Sequence, residues 1–237
     1  MRSTVRDDES MRKRVPALWT AAAAVGVLAA ARRRPPPGSR PVFARWYGVL
    51  AGRAERGETG RRRQTLLRHA AGRVLDVGAG TGESFKHMTS TVRQLVALEP
   101  DPAMLRQAGR RLAEADAFVW LVQSQSERLP FAGASFDTVV VCLVLCTVGD
   151  VAVTVTELHR VLRPGGQLLL MEHVRASDDA LAEWQDLVDR PWSWLHGGCH
   201  PNRRTLAAVE NAGFRLGPVE RYGFPVLPHV QVIAERV

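Results

Sequence analysis

The sequence predicts a doubly wound α/β fold on a mostly parallel sheet. Three observations carry that expectation. Short, branched, apolar runs recur along the chain, each followed by a stretch with helical spacing. The run at 136–143 is apolar almost throughout, as in strands covered on both faces. The first run, RVLDV at 73–77, passes directly into glycines at alternate positions, Gly78, Gly80 and Gly82. A strand, a glycine turn and a following helix make a nucleotide cradle at the carboxyl edge of a sheet.

The elements follow in order. Residues 61–71 predict a helix feeding the first strand, with Leu66 and Leu67 inward. Val74, Leu75 and Val77 form that strand, Asp76 stands at its polar end, and residues 83–88 start the next helix. Residues 94–98 predict a second strand ending in Glu99, then DPAMLRQAGRRLAEA predicts a helix over 101–115, capped by Asp101 with Pro102 in its first turn. Residues 118–122 and 136–143 read as strands, 151–162 as a helix ended by RPGG at 163–166, and 167–171 as the next strand. A helix over 180–195 places Trp184, Leu187 and Val188 on one stripe, another helix precedes Ala212-Gly213-Phe214, and the last segment returns as a strand pair at the sheet edge.

The chain has 237 residues, 46% of them apolar, enough for one α/β domain with additional terminal material. Its formal charge of +8 is unevenly placed. Residues 1–73 hold 17 Lys and Arg against 5 Asp and Glu, whereas 74–237 hold 15 against 19. A basic terminus favours an anionic surface, most simply a membrane. Nucleic acid is disfavoured as a partner, because no recognition motif accompanies the basic stretch. Residues 1–14 form a basic tail. Residues 15–31 are uncharged and flanked by arginines and a lysine, so 15–34 reads as a membrane anchor with its basic flank. An alanine-rich helix lying on the protein and a cleaved signal peptide are the other readings. Residues 35–41, PPPGSRP, form a stiff linker, and the domain spans 42–237. Three cysteines make no disulfide framework, and Cys142 and Cys146 read as packed thiols in a cytoplasmic domain. Oligomeric state leaves no signal in the sequence.

The spacing Asp76-x-Gly78-x-Gly80-x-Gly82 differs from the dinucleotide fingerprint, and no Walker lysine follows. Glu99 lies 23 residues beyond Asp76, where a carboxylate accepts both hydrogen bonds of a ribose diol. An adenosine-bearing ligand without a phosphate suits such a site. VLDVGAGTG, LVALEPDPAML, SERLPFAGASFDTVVVCLVLCTV and ELHRVLRPGGQLLLMEHV together resemble, in order and spacing, the motifs of class I S-adenosylmethionine-dependent methyltransferases. The resemblance implies a seven-stranded, Rossmann-like sheet with an antiparallel C-terminal edge and S-adenosyl-L-methionine as cofactor. It implies that Gly78, Gly80 and Gly82 line the methionine and ribose portions, that Asp76 stands near the amino acid end, and that Glu99 holds the ribose. It likewise implies that Pro100 and Met104 flank the adenine, that Ser126 and Glu127 lie at its edge, and that Cys142 lines the methionine portion.

The tail narrows the resemblance. EHV, a tryptophan-bearing helix, D-x-P-W, G-C, a helix before A-G-F, and a late P-H are similar to the membrane-bound thiol methyltransferases of the methyltransferase-like seven family. That similarity implies methyl transfer to a small, apolar acceptor such as a thiol, by in-line displacement, with quinone or phospholipid methylation as the alternative. Trp184, Trp192, Trp194 and Phe224 become candidates for an acceptor wall. His173, ending a strand on the ligand side, is the candidate general base. His196, Cys199 and His200 have spacing resembling part of a zinc site, but the family resemblance implies no metal.

Overall fold

The computed structural model describes residues 52–237. The basic tail, the anchor candidate, the linker and the first residues of the domain, 42–51, lie outside the described residues. Among the described residues no helix is long and apolar enough to cross a membrane.

The elements are α1 (Glu58–Leu67), β1 (Gly72–Val77), β2 (Val92–Leu98), α2 (Pro102–Gly109), β3 (Phe118–Val122), β4 (Phe136–Cys142), α3 (Val151–Val161), β5 (Leu162–His173), α4 (Asp179–Leu195), α5 (Thr205–Asn211), β6 (Phe214–Leu216), β7 (Glu220–Phe224) and β8 (Leu227–Arg236). The sheet runs β3-β2-β1-β4-β5-β8-β6, with β7 as an eighth strand paired on β8. Strands β1 to β5 pair in parallel. β8 lies antiparallel to β5, β6 and β7, giving the antiparallel edge expected from the last segment. Chain order reverses between β1 and β4, which opens a crevice outside their carboxyl ends.

Two-residue alternation divides the apolar runs between two cores. Leu75, Val77, Val139, Val141, Leu168 and Leu170 face one side, packed with Val155, Leu158 and Val161 of α3 and Val209 of α5. Val74, Val140, Leu169 and Met171 face the other, with Leu66 and Leu67 of α1 and Phe85. Both faces are covered, which is why β4 carries no alternating polar pattern. Full burial of each such side chain stabilises by about 1.5–3 kcal/mol relative to leaving it exposed.

Helix starts follow their caps. Asp101 accepts from the Ala103 amide at 2.7 Å, Asp150 from Val153 at 3.0 Å, and Asp178 from Leu181 at 3.0 Å. Several sequence expectations change: the helix read over 61–71 is Glu58–Leu67, and the sheet has eight strands rather than seven because β7 pairs on β8. Residues 83–88 make only a 3₁₀ turn, Phe85–His87, because Phe85 is buried in the second core and His87 is held by Glu55 at 3.2 Å. The helix expected over 101–115 stops at Gly109, and a separate 3₁₀ turn spans Leu112–Glu114. RPGG is no free loop: β5 already pairs Leu162 with Phe136, then bulges before Gln167 pairs with Thr138.

Candidate active site

The cradle begins where β1 ends. Gly78, Gly80 and Gly82 all take positive φ, at 65°, 57° and 85°. A Cβ on Gly78 would stand 2.5 Å from Val144 Cγ2, and one on Gly82 would stand 2.9 Å from Phe85 Cε2. The glycines therefore serve both the turn and close approach of neighbouring side chains. Pairing of Val77 with Leu98 carries the end of β2 alongside this loop. Glu99 then accepts from the Gly80 amide at 2.9 Å through one oxygen and from the Asp101 amide at 2.9 Å through the other. A carboxylate offers roughly four lone-pair sites, so acceptor capacity remains for a diol. Burial raises the Glu99 pKa against those two amide bonds.

Asp76 is buried in β1 beside the loop. Its Oδ2 has no hydrogen-bond partner among the described residues. Desolvation raises its pKa to about 7, opposed by the positive charge of Arg63. A buried carboxylate with an unused acceptor fits a cationic or hydrogen-bond-donating ligand group. The orphaned Asp76 oxygen and the glycine cradle accordingly fit the amino acid end of S-adenosylmethionine.

The remaining sequence-predicted residues surround the same strand ends. Pro100 is exposed and Met104 buried, at the start of α2. Ser126 Oγ donates to Glu127 Oε2 at 3.3 Å, and Glu127 Oε1 accepts from Gly149 at 2.8 Å, tying the segment after β3 to the start of α3. Cys142 closes β4, and burial pushes its thiol up to about 12, so it stays neutral.

Glu172 organises the loop after β4. Its carboxylate is fully buried and accepts the amides of Val144 at 2.5 Å, Leu145 at 2.7 Å and Cys146 at 3.3 Å. Burial lifts its pKa to about 7 despite those bonds. From the other side, the Arg203 guanidinium donates to the carbonyls of Leu145 and Val148. Arg63, buried on α1, pairs with Glu55 at 2.7 Å. Sequence reading missed Arg63 and Arg203. Arg63 stands three and four residues before the inward Leu66 and Leu67, so helical spacing alone could have placed it on the buried face.

His173 ends β5, and its Nδ1 meets Cys199 Sγ at 3.6 Å. Cys146, His173 and Cys199 offer ligand atoms that all lie within 4.8 Å of one another. The His173 ring packs against His229, with centroids 4.2 Å apart. Hydrogen bonding to Cys146 and then to His173 holds the Cys199 thiol below its ordinary value, while its bond to Cys199 followed by burial pushes Cys146 up. The trio close in sequence does not assemble. His196 stacks on Trp192 at 3.9 Å, and His200 binds Asp189 at 2.9 Å.

Helix α4 turns a different face inward from its apolar stripe. Gln185 is fully buried, accepting from the Ala176 amide at 2.8 Å and donating to the carbonyls of Val174, Pro201 and Val226 at 3.3–3.4 Å. Trp184 and Trp194 are exposed, with Leu187 at 80% and Phe224 at 75%. Trp192 is half-buried against His196.

Comparison with known proteins agrees with this geometry. A family model described as a methyltransferase domain matches residues 75–170. Human thiol S-methyltransferase TMT1B is 33% identical over 175 residues, covering 69% of this chain and 71% of that protein. The ubiquinone/menaquinone biosynthesis C-methyltransferase UbiE of Pseudomonas fluorescens is 29% identical over 168 residues, covering 61% of this chain and 66% of that protein. Among solved structures, an S-adenosylmethionine-dependent methyltransferase from Mesorhizobium loti superposes with a TM-score of 0.58 at 23% identity, over 77% of this chain and 100% of that one, a likeness of fold. With the cofactor cradle, the crevice and a relative aligned well beyond the cofactor motifs, the chain belongs to the class I S-adenosylmethionine-dependent methyltransferases, as an enzyme related to the thiol S-methyltransferases and to the UbiE-type enzymes.

Proposed function

We propose that the protein methylates the sulfur of a small, apolar thiol. The carrying observation is that human thiol S-methyltransferase TMT1B is 33% identical over 69% of this chain and 71% of that protein, against 29% over 61% and 66% for the UbiE enzyme, and that both matches are longer than the general methyltransferase match at 75–170. The likeness therefore includes chain outside the shared cofactor region, where acceptor chemistry is decided.

When bound, S-adenosylmethionine supplies an electrophilic methyl group on a sulfonium. The chain's part is to hold and align. Asp76 and Glu99 supply acceptors for the cofactor's polar ends. Cys142 stays protonated and leaves the methyl to an incoming acceptor. Apolar side chains of the second core exclude water behind the glycine loop, which favours a dry encounter of the reacting atoms. A thiol needs little general-base help, since a free thiol titrates near pH 8.5. In this reading residues 15–34 act as a membrane locator for hydrophobic acceptors, and the catalytic domain stays cytoplasmic.

The test is transfer of a labelled methyl group by the full-length protein to a matched panel: a small alkyl thiol, a phenol, a quinol and a phospholipid amine. Turnover on the thiol with the others silent is the expected result. Turnover on the quinol without the thiol would overturn the proposal in favour of the UbiE-like alternative.

A further inference from the structure

We propose that Cys146, His173 and Cys199 form an open three-ligand zinc site whose fourth position takes the substrate thiol. The second half of this statement rests on the proposed function; the first half does not.

The geometry is that of a site rather than of a chance pair. Two sulfurs and one imidazole nitrogen lie within 4.8 Å of one another. With Zn–S near 2.3 Å and Zn–N near 2.0–2.1 Å, tetrahedral angles require S···N separations of about 3.6 Å and S···S of about 3.8 Å. The Cys199 Sγ to His173 Nδ1 distance is 3.6 Å. Every side of the triangle lies within 4.8 Å, so none needs to close by more than about 1.2 Å to reach tetrahedral separations. Two cysteines alone would read as a redox pair, and the imidazole nitrogen in the same triangle distinguishes a metal site. Two thiolates and one imidazole neutralise the charge of zinc, which suits a buried position.

The three ligands come from separate elements locked to each other. Cys146 lies in the loop after β4, whose amides Glu172 holds. His173 ends β5, one residue beyond that carboxylate. Cys199 follows α4, and the adjacent His200 amide donates to the Cys146 carbonyl at 2.7 Å. Such restraint presets ligand positions before an ion arrives. Cys146 and Cys199 are buried, whereas His173 is half-buried and marks the open side. Val144, two residues before Cys146, presses on Gly78 of the cofactor loop, so the cluster adjoins the cradle.

Three protein ligands with a vacant fourth position are the arrangement of catalytic rather than structural zinc. A thiol entering that position binds as thiolate and releases its proton to solvent. Its sulfur would keep a lone pair for the new S–C bond, which forms as the cofactor's sulfonium S–CH3 bond breaks and S-adenosylhomocysteine leaves with that bond's electron pair.

The full-length protein, stripped of metal under reducing conditions, would be titrated with Zn²⁺ alone and separately with Co²⁺. One equivalent of zinc should bind, and the cobalt form should show thiolate-to-cobalt charge transfer in the near ultraviolet and intense tetrahedral visible bands. Cys146→Ser and Cys199→Ser should each weaken zinc binding more than about 100-fold, beyond the 10–100-fold typical of losing an outer-shell partner, with cofactor affinity retained as proof of folding. A small alkyl thiol should shift the visible bands. Absence of stoichiometric metal, or equal binding by the serine variants, would overturn the site. Visible bands indifferent to thiol would overturn the open fourth position. Methyl transfer is scored separately on the same preparation. Thiol turnover without bound metal refutes the site and leaves the function, whereas a thiol-responsive cobalt site without thiol turnover supports the site and refutes the function.

Discussion

Replacing Glu172 tests whether a buried carboxylate holds the loop after β4. The carboxylate accepts three amides, at 2.5, 2.7 and 3.3 Å, and is fully buried. Alanine would leave three buried N–H groups without an acceptor, at about 1–3 kcal/mol each, or about 3–9 kcal/mol together. Domain stability is about 5–15 kcal/mol, so Glu172→Ala should be near or beyond the folding limit. Glutamine keeps one acceptor oxygen for Val144 and Leu145 but turns an NH₂ toward the Cys146 amide. That exchange costs one bond and should destabilise by about 1–3 kcal/mol. The pH dependence separates charge from shape. Burial raises the Glu172 pKa from the ordinary 4.5 to about 7. The folded protein then binds more protons than the unfolded chain between those values. The Glu172 contribution is fully present below about pH 4.5 and is lost as pH rises through about 7, by about 3 kcal/mol. Urea unfolding of wild type and Glu172→Gln at pH 5 and pH 8 should therefore show the gap between them narrowing at pH 8. A Glu172→Ala protein within about 1 kcal/mol of wild type would refute the reasoning, because three orphaned amides cannot cost so little.

Three further outcomes are expected. Glu99→Ala should weaken S-adenosylmethionine binding by about 10-fold or more, the equivalent of at least 1.4 kcal/mol, in a calorimetric titration; unchanged affinity would remove Glu99 from the site. Gly78→Ala should lower both thermal stability and cofactor affinity, since a positive φ costs about 1–2 kcal/mol and its Cβ meets Val144 at 2.5 Å. Asp76, with its pKa raised to about 7, should bind the cationic cofactor more tightly as pH rises through that value, and Asp76→Asn should abolish the dependence; identical pH profiles in the two proteins would separate Asp76 from the ligand.

Much of this was legible before any coordinates. Apolar runs marked β1 to β5 because their residues serve two cores at once, and the cap at Asp101 fixed where α2 begins. Glu99 was legible because β1 and β2 pair in register, which makes a spacing in sequence into a position across the crevice. The acceptor side was not legible in the same way. Gln185 lies off the stripe of Trp184, Leu187 and Val188 that the sequence analysis placed on this helix. It is buried because irregular backbone at Val174, Ala176, Pro201 and Val226 needs donors and an acceptor there. The Cys/His cluster joins residues about 26 apart along the chain, whereas sequence proximity pointed to His196, Cys199 and His200. Those three diverge as α4 ends and the chain turns through Gly197 and Gly198 with positive φ.

The loop after β4 joins the glycine turn to the segment beyond α4. Its N–H groups converge on Glu172, and its carbonyls at Leu145 and Val148 receive Arg203. The two charges do not pair directly in these contacts; peptide groups between them accept from one and donate to the other. Each buried charge is thus offset by backbone dipoles, and the loop is fixed at both ends of those dipoles. The same loop presses Val144 against Gly78 and carries Cys146 into the cluster with His173 and Cys199. A shift of the loop large enough to free Cys146 must also relax the packing behind the glycine turn. Arg203 and Cys199, both supplied from beyond α4, therefore act on a loop that supports the cofactor cradle. The C-terminal segment is thus tied through Arg203 and the His200 amide to the loop that packs behind the glycine turn.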